Sequence, residues 1–288
     1  MIQSMTGYAA KTRDVAHGSL SFELKSVNSR FLDVHFRVCE ELRMAEPALR
    51  EAIAGRAGRG KVECRVYFMA AARGAQQLTL NEELLAQLAA LDRQVRAGLP
   101  DARALGVGEV LRWPGIFGDE SIDQEALLSA TLAVAREALD DFVASRGREG
   151  EKLKAIILER LARMRERVEQ VAPHIPAAQQ AFQEKLKQRL VDAIGSADDE
   201  RVRQEVVVFA ARIDVAEELA RLATHMDEVE RVLKQGGAVG KRLDFLMQEL
   251  NREANTLGSK SVVSEVSQTA MDLKLLIEQM REQVQNLE

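Results

Sequence analysis

Cysteine, proline and aromatic residues are all scarce in this sequence. Its 288 residues include 2 Cys and 5 Pro, and aromatic residues make up 4% of the chain. Cys39 and Cys64 lie in strand-like runs and do not have the spacing of metal ligands. A zinc-finger module and a disulfide scaffold are therefore excluded, and a reduced, cytoplasmic setting is expected.

Long apolar runs are also missing. No stretch of about 18 apolar residues occurs, so we expect no membrane span. The opening MIQSMTGYAA has no basic region followed by an apolar core, so we expect no secretory signal.

The composition that remains is typical of a helix-rich globular protein. Hydrophobic residues reach 46% and charged residues 30%, and the net charge is −5. The length allows one large domain or two smaller ones. Residues 1–73 carry a net charge of +4, against −9 for the remainder. An acidic protein can still present a basic binding face through such local clustering.

Alternating apolar residues predict strands in the first seventy residues. The alternation covers residues 20–24, 32–38 and 62–68, and residues 1–8 offer a further strand. Between the strands, Glu46-Pro47 opens a short helix, because Pro is favoured in the first helical turn. These elements predict a small antiparallel or mixed sheet packed on a helix.

Strand patterns end at about residue 75, and helical patterns follow. Helices are predicted over residues 78–97, 124–145, 148–170, 177–194 and 200–235, with two more after Gly236-Gly237. The sequence thus predicts an α+β protein in which a small N-terminal sheet with a helix precedes a large all-helical C-terminal region with long helices. Three regions are expected: a β-rich N-terminal domain over 1–75, a helical middle region over 76–195, and a C-terminal helical domain over 196–288.

The segment 236–261 has more polar groups than a structural helix needs. Glu249 and Glu253 are four residues apart and share a helical face, opposite an apolar face that contains Leu243 and Leu250. Paired carboxylates can bind a divalent cation or act as general acid and base. A solvated face with ion pairs is the alternative. The polar and ionisable residues that converge by spacing include Asp244, Gln248, Glu249, Asn251, Arg252, Glu253, Asn255 and Lys260.

A second stripe of ionisable residues precedes the two glycines. Its members follow steps of three and four, and an exposed face with Glu–Arg pairs would give the same pattern. A His with two or three carboxylates can bind Mn²⁺, Zn²⁺ or Mg²⁺. An antiparallel hairpin through Gly236-Gly237 would bring the stripe against Glu249 and Glu253. The stripe consists of Asp214, Glu218, Arg221, His225 and Glu228.

Two basic groups in the N-terminal region suit phosphate contacts. The first lies in the loop from Lys25 to Arg30, which includes Asn28, and an ordinary polar hairpin is its alternative. The second includes Arg59 and Lys61, and a charged edge that protects a strand from association is its alternative.

Several motifs, in order along the whole chain, resemble those of the YicC family of bacterial proteins. Only Ala9 departs from the opening motif, where the family usually has Gly, and residues 75–110 and 175–200 carry no family motif. The matching motifs are Ser4-Met5-Thr6-Gly7-Tyr8, Lys25-Ser26-Val27-Asn28-Ser29-Arg30-Phe31-Leu32, Arg59-Gly60-Lys61-Val62, Arg112-Trp113-Pro114-Gly115, Arg146-x-x-Glu149-Gly150 and the segment from Gly236 to Lys260.

The resemblance implies an endoribonuclease that cleaves single-stranded or structured RNA with the help of a metal. It also implies a ring-like homo-oligomer with six subunits, a role in the turnover of RNA including small regulatory RNAs, and a link to stress and stationary-phase survival. Other enzymes of RNA degradation are expected as further partners.

Family and spacing together predict a metal-assisted RNA phosphodiesterase that uses Mn²⁺ or Mg²⁺. We expect His225, Glu249 and Glu253 to be catalytic, and the same three residues with Glu218 and Asp214 to bind the metal. Products with a 5′-phosphate or with a 2′,3′-cyclic phosphate remain open. The alternative function is a non-catalytic RNA-binding adaptor that delivers RNA to another nuclease. The expected RNA contacts are Lys25, Asn28, Arg30, Arg59, Lys61, Lys241, Arg252 and Lys260.

Overall fold

A computed structural model describes residues 2–16, 18–70, 80–117, 123–194 and 200–288. The strands are β1 (Gly7–Val15), β2 (Gly18–Val27), β3 (Leu32–Val38) and β4 (Gly60–Ala70). The helices are α1 (Glu46–Ala54), α2 (Glu82–Gly98), α3 (Val107–Val110), α4 (Gln124–Val171), α5 (Ile175–Ile194), α6 (Glu200–Ile213), α7 (Ala216–Gln235), α8 (Gly240–Lys260) and α9 (Ser264–Val284).

The N-terminal sheet has the strand order β1-β2-β4-β3. β1 pairs antiparallel with β2, β2 pairs antiparallel with β4, and β3 pairs parallel to β4. Of the two predicted kinds of sheet, antiparallel or mixed, the structure has the mixed one. Because side chains alternate across a strand, the predicted residues Leu20, Phe22 and Leu24 all point into the core. They pack with Ile53 of α1 and Phe142 of α4.

Helix α4 is the longest of the described helices. It has 48 residues and a length of about 72 Å at 1.5 Å per residue. The prediction of separate helices over 124–145 and 148–170 was wrong, since α4 runs through Gly147 and Gly150 without a break. Gly150 serves a close approach instead: a Cβ at this position would lie 2.3 Å from the backbone oxygen of Ile2. The first half of α4 packs on the sheet and the second half on α7 and α9.

The C-terminal core is helical, as predicted. Helices α7, α8 and α9 share one apolar cluster with the second half of α4. A single helix over 200–235 was a wrong prediction, because the chain leaves helical geometry at Asp214 and Val215. The Asp214 carboxylate accepts the backbone N–H of Ala216 at 3.0 Å, a local bond that competes with a continuous helix.

The α+β class is confirmed, whereas the domain limits stay a prediction. The boundaries at 75/76 and 195/196 and the first residues of the helix expected over 78–97 lie outside the described residues. Within the described ranges, no helix has the length and apolar character needed to cross a membrane.

The two ends of the described chain meet at the start of α8. Met5 donates its backbone N–H to the Asn286 oxygen at 2.8 Å, and Glu288 donates to the Gln3 oxygen at 3.0 Å. The Val239 N–H in turn donates to the Glu288 backbone oxygen at 3.1 Å. The first and last residues therefore fix the point from which α8 begins.

Candidate functional site

The candidate site is built on the antiparallel hairpin of α7 and α8. Gly236 and Gly237 link the helices with φ values of 71° and 87°, which glycine adopts without steric strain. Side chains meet in register across the hairpin: Arg242 pairs with Glu228 near the glycine link, and Arg221 lies 3.7 Å from Glu253 further along. The predicted hairpin is thus present in the structure.

Three of the predicted site residues come together midway along the hairpin. His225 of α7 and Glu249 and Glu253 of α8 each offer a ligand atom, and these atoms lie within 4.8 Å of one another. Glu253 is buried, whereas His225 and Glu249 are partly exposed. No other group of three or more potential ligands of this kind occurs in the part of the chain that the structure describes. An imidazole with two carboxylates can bind a divalent cation such as Mn²⁺ or Zn²⁺.

Arg221 lies beside this cluster and affects its charge. Its guanidinium is hydrogen-bonded to Glu217 and lies 3.7 Å from the Glu253 carboxylate. A buried carboxylate is costly without a positive partner, and the Arg221 guanidinium supplies that partner for Glu253.

Glu218 and Asp214 are not part of this cluster. Glu218 precedes His225 by seven residues, or about 10 Å along the helix. Its carboxylate accepts a hydrogen bond from the Lys260 ammonium at 2.9 Å. Asp214 lies outside α7, where its carboxylate caps the backbone of Ala216 and its carbonyl accepts from Lys260. The structure therefore separates both residues from the predicted metal site.

The predicted RNA contacts fall into two groups. Several are engaged within the protein. The Lys260 ammonium holds Glu218 and Asp214, the Asn28 amide donates to the Gln285 oxygen at 2.6 Å, and Arg59 donates to the Arg30 oxygen at 3.2 Å. Arg30 also lies over the Phe31 ring, and Lys25 is close to the Glu63 carboxylate.

Other predicted contacts are exposed and unpaired. Lys61, Lys241 and Arg252 make no side-chain hydrogen bond or ion pair with any residue in the described ranges. Lys241 and Arg252 lie on α8 on either side of Glu249, so they are the better placed of the predicted residues to meet phosphates near the cluster.

An open groove with a volume of about 820 Å³ adjoins the cluster between α7 and α8. His225 lines the groove and also belongs to the cluster, so the two are continuous. Sequence reasoning missed Arg231, Arg242 and Phe245 as groove residues. The spacing could have revealed Phe245, which lies four residues from both Lys241 and Glu249.

Glu228 organises the basic side of this groove. It accepts hydrogen bonds from Arg231 at 2.6 and 2.8 Å and from Arg242 at 3.1 Å. These hydrogen bonds lower the pKa of the Glu228 carboxyl from its ordinary value of 4.5 to about 2. The carboxylate therefore stays ionised at neutral pH and holds both guanidinium groups at the groove.

Sequence comparisons agree with this architecture. Residues 2–155 match the N-terminal region of the endoribonuclease YicC-like family, and residues 168–288 match its C-terminal region. The hairpin with the cluster lies wholly within the second match. The chain belongs to the endoribonuclease YicC-like family, which confirms the resemblance carried by the motifs.

Two relatives align with the chain from end to end. A probable endoribonuclease YicC of Haemophilus influenzae is 43% identical over 288 residues and covers 100% of both chains. A probable endoribonuclease YicC of Clostridioides difficile is 26% identical over 293 residues, again with 100% of both chains.

Proposed function

We propose that this protein is a metal-dependent endoribonuclease and that His225, Glu249 and Glu253 hold its metal. The observation that carries the proposal is the convergence of these three side chains from two helices, in a chain of an endoribonuclease-like family. An imidazole nitrogen with two carboxylates fits Mn²⁺, and the two carboxylates also suit Mg²⁺.

When bound, a divalent cation supplies an activated water and relieves negative charge on the phosphate. The protein groups have separate tasks. Glu253, buried beside Arg221, keeps a fixed position. Glu249 is more exposed, and its second carboxylate oxygen can accept the proton of the attacking oxygen, whereas His225 donates its one free lone pair to the metal. Lys241 and Arg252 neutralise the phosphates on either side of the bond that is cut.

The wider setting of this activity rests on the family resemblance. We propose cytoplasmic RNA, including small regulatory RNAs, as the substrate, and a homohexamer as the assembly. A role in stress and stationary-phase survival follows from the same resemblance.

Charge-neutral substitutions at the cluster test the metal site. Glu249→Gln and Glu253→Gln keep the side-chain size but remove a ligand charge, so Mn²⁺ affinity and RNA cleavage should both fall at least tenfold. Glu205→Gln, an exposed change on α6, serves as the control. Mn²⁺ binding is measured by titration calorimetry, and equal folding is checked by circular dichroism.

The outcomes separate the enzyme from the adaptor. Cleavage that is unchanged in both cluster variants, or that survives EDTA, excludes this metal site. If further purification of the wild-type protein removes the cleavage activity while RNA binding persists, the adaptor function is favoured. Products with a 5′-phosphate indicate attack by water, whereas a 2′,3′-cyclic phosphate indicates attack by the RNA 2′-hydroxyl with His225 as base.

A further inference from the structure

The groove beside His225 has the composition of a nucleotide-binding surface. It joins an exposed aromatic ring to a concentration of positive charge, next to the cluster that offers metal ligands. Its lining comprises Thr224, His225, Asp227, Glu228, Arg231, Lys241, Arg242, Phe245 and Leu246.

Phe245 is the unusual member of this lining. It is 58% exposed, although it lies on a helix whose other large apolar residues, such as Leu246 and Leu250, are buried. Lys241 precedes it by four residues and Glu249 follows by four, so all three share one face of α8 with steps of about 6 Å. The ring therefore lies between an unpaired cation and a metal-site carboxylate.

The charges around Phe245 leave the groove positive. Lys241 has no ion-pair partner in the described ranges, and Arg231 and Arg242 share the single carboxylate of Glu228. The Asp227 carboxylate is paired with Arg165 at 2.7 Å. Guanidinium groups have five N–H donors, so Arg231 and Arg242 retain donors for a phosphate after binding Glu228.

We propose, on the basis of the nuclease function above, that this groove holds one unpaired nucleotide of the RNA directly beside the bond that is cut. The base stacks on Phe245, and the adjoining phosphate contacts Lys241 and Arg242. In a duplex both faces of a base are covered by its neighbours, so a base can lie on Phe245 only where it is unstacked. The site therefore selects single-stranded or locally opened RNA.

The first test is a double-mutant cycle in RNA affinity, in which the Phe245 ring is removed from the protein and the bases are removed from the RNA. Affinity is measured by fluorescence anisotropy in EDTA, with the full-length protein and a short labelled single-stranded RNA. Phe245→Ala should weaken binding about 5- to 150-fold, the range that a stacked base contributes. With an oligonucleotide of the same length whose nucleotides are abasic, Phe245→Ala should have no effect, because no base is left to stack.

Matched variants exclude a general loss of structure. Phe245→Trp retains an aromatic face and should keep or increase affinity for the single strand. Leu275→Ala, a comparably exposed apolar residue on α9, should leave it unchanged. A duplex of the same sequence should bind wild type and Phe245→Ala alike. Lys241→Ala should reduce the slope of log affinity against log salt by about 0.7, the value for one phosphate contact on a single strand.

Several results would overturn the assignment. These are a change in affinity below twofold for Phe245→Ala, an equal loss with the abasic strand, or a loss that Phe245→Trp shares. A shift in subunit assembly with unchanged RNA affinity, measured by sedimentation, assigns the groove to a protein contact instead. Glu249→Gln is assayed for cleavage in parallel. If this variant cleaves normally while Phe245→Ala weakens binding only to RNA that carries bases, the proposed metal site is wrong and the nucleotide site is supported.

Discussion

Arg146, which is buried, and Glu288, which is partly exposed, form an ion pair that joins the middle of α4 to residue 288. The Arg146 side chain is 1% exposed and also donates to the Ser4 oxygen at 2.6 Å. The other carboxylate oxygen of Glu288 accepts the Gly58 N–H at 2.7 Å. One pair of side chains thus connects the long helix, both ends of the described chain and the N-terminal sheet domain.

Removal of the Glu288 carboxylate should destabilise the protein strongly. Glu288→Ala leaves the Arg146 charge buried without its partner, so we expect the free energy of unfolding to fall by about 3–5 kcal/mol. Urea denaturation measures the change. Glu282→Ala, an exposed change on α9, should stay within about 0.5 kcal/mol of wild type. A loss below about 1 kcal/mol for Glu288→Ala would contradict this prediction and would show that water hydrates the Arg146 guanidinium in place of the carboxylate.

Lys260 should contribute to the stability of the fold more than to RNA binding. Lys260→Met removes the partner of the buried Glu218 carboxylate and should reduce the free energy of unfolding on the order of 3 kcal/mol. The double variant Glu218→Leu with Lys260→Met should recover most of this loss, because neither charge remains buried alone. Arg252→Ala should show the opposite profile, with normal urea denaturation and weaker RNA binding. If Lys260→Met weakens RNA binding without a loss of stability, Lys260 contacts the RNA directly.

Gly150 should tolerate no side chain despite its helical position. Alanine improves helix propensity by up to about 1 kcal/mol, but its Cβ would lie 2.3 Å from the Ile2 backbone oxygen. Overpacking costs about 1–3 kcal/mol, and a backbone atom cannot move aside as a side chain can, so the clash prevails. Gly150→Ala should lower the thermal midpoint of unfolding. Gly98→Ala, with no atom within 4 Å of its Cβ, should leave it equal or higher; a rise in both variants would contradict the close approach.

The ion pairs of Glu228 should make stability depend on pH in the acidic range. Because its pKa is lowered from 4.5 to about 2 by Arg231 and Arg242, the unfolded chain takes up the proton first as the pH falls. The stabilisation is thus complete above the unfolded pKa of 4.5 and is lost as the pH falls to about 2. Thermal unfolding of wild type and Glu228→Gln at a series of pH values should give midpoints that converge across this window.

A salt series provides the control for Glu228. High ionic strength screens exposed ion pairs, so it should reduce the difference in unfolding midpoint between wild type and Glu228→Gln at neutral pH. If the unfolding midpoints of wild type and Glu228→Gln differ as much at pH 2 as at pH 7, the difference arises from packing rather than from charge.

The sequence predicted the parts of the fold that depend on local periodicity. Leu20, Phe22 and Leu24 alternate, and a strand with one buried face must show that period. The hairpin of the site was also predictable, because Gly236-Gly237 separates two amphipathic segments. Their register placed His225 opposite Glu249 and Glu253, as the structure does.

What could not be predicted depends on contacts between residues far apart in sequence. The sequence pattern separated helices over 124–145 and 148–170, and only the crossing of the N-terminal segment against Gly150 shows why a glycine is needed within one continuous helix. Glu218 has the spacing of a ligand, but helical spacing does not reveal that Lys260 lies against it. The spacing of Phe245 from Lys241 and Glu249 indicates the polar face of α8, but only the packing of α7 against α8 shows that its ring lines a groove.

The meeting of the chain ends at Val239 has a consequence for the order of folding. Bonds between residues 3–5 and 286–288 close loops of more than 280 residues, and the entropy cost of loop closure grows with loop length, so we expect these bonds to form late in folding. Because the Val239 N–H bonds to the Glu288 oxygen, the start of α8 is tied to the rest of the molecule only when these contacts are in place. The contacts between α7 and α8, which are close in sequence, can therefore form before this end of the hairpin is fixed.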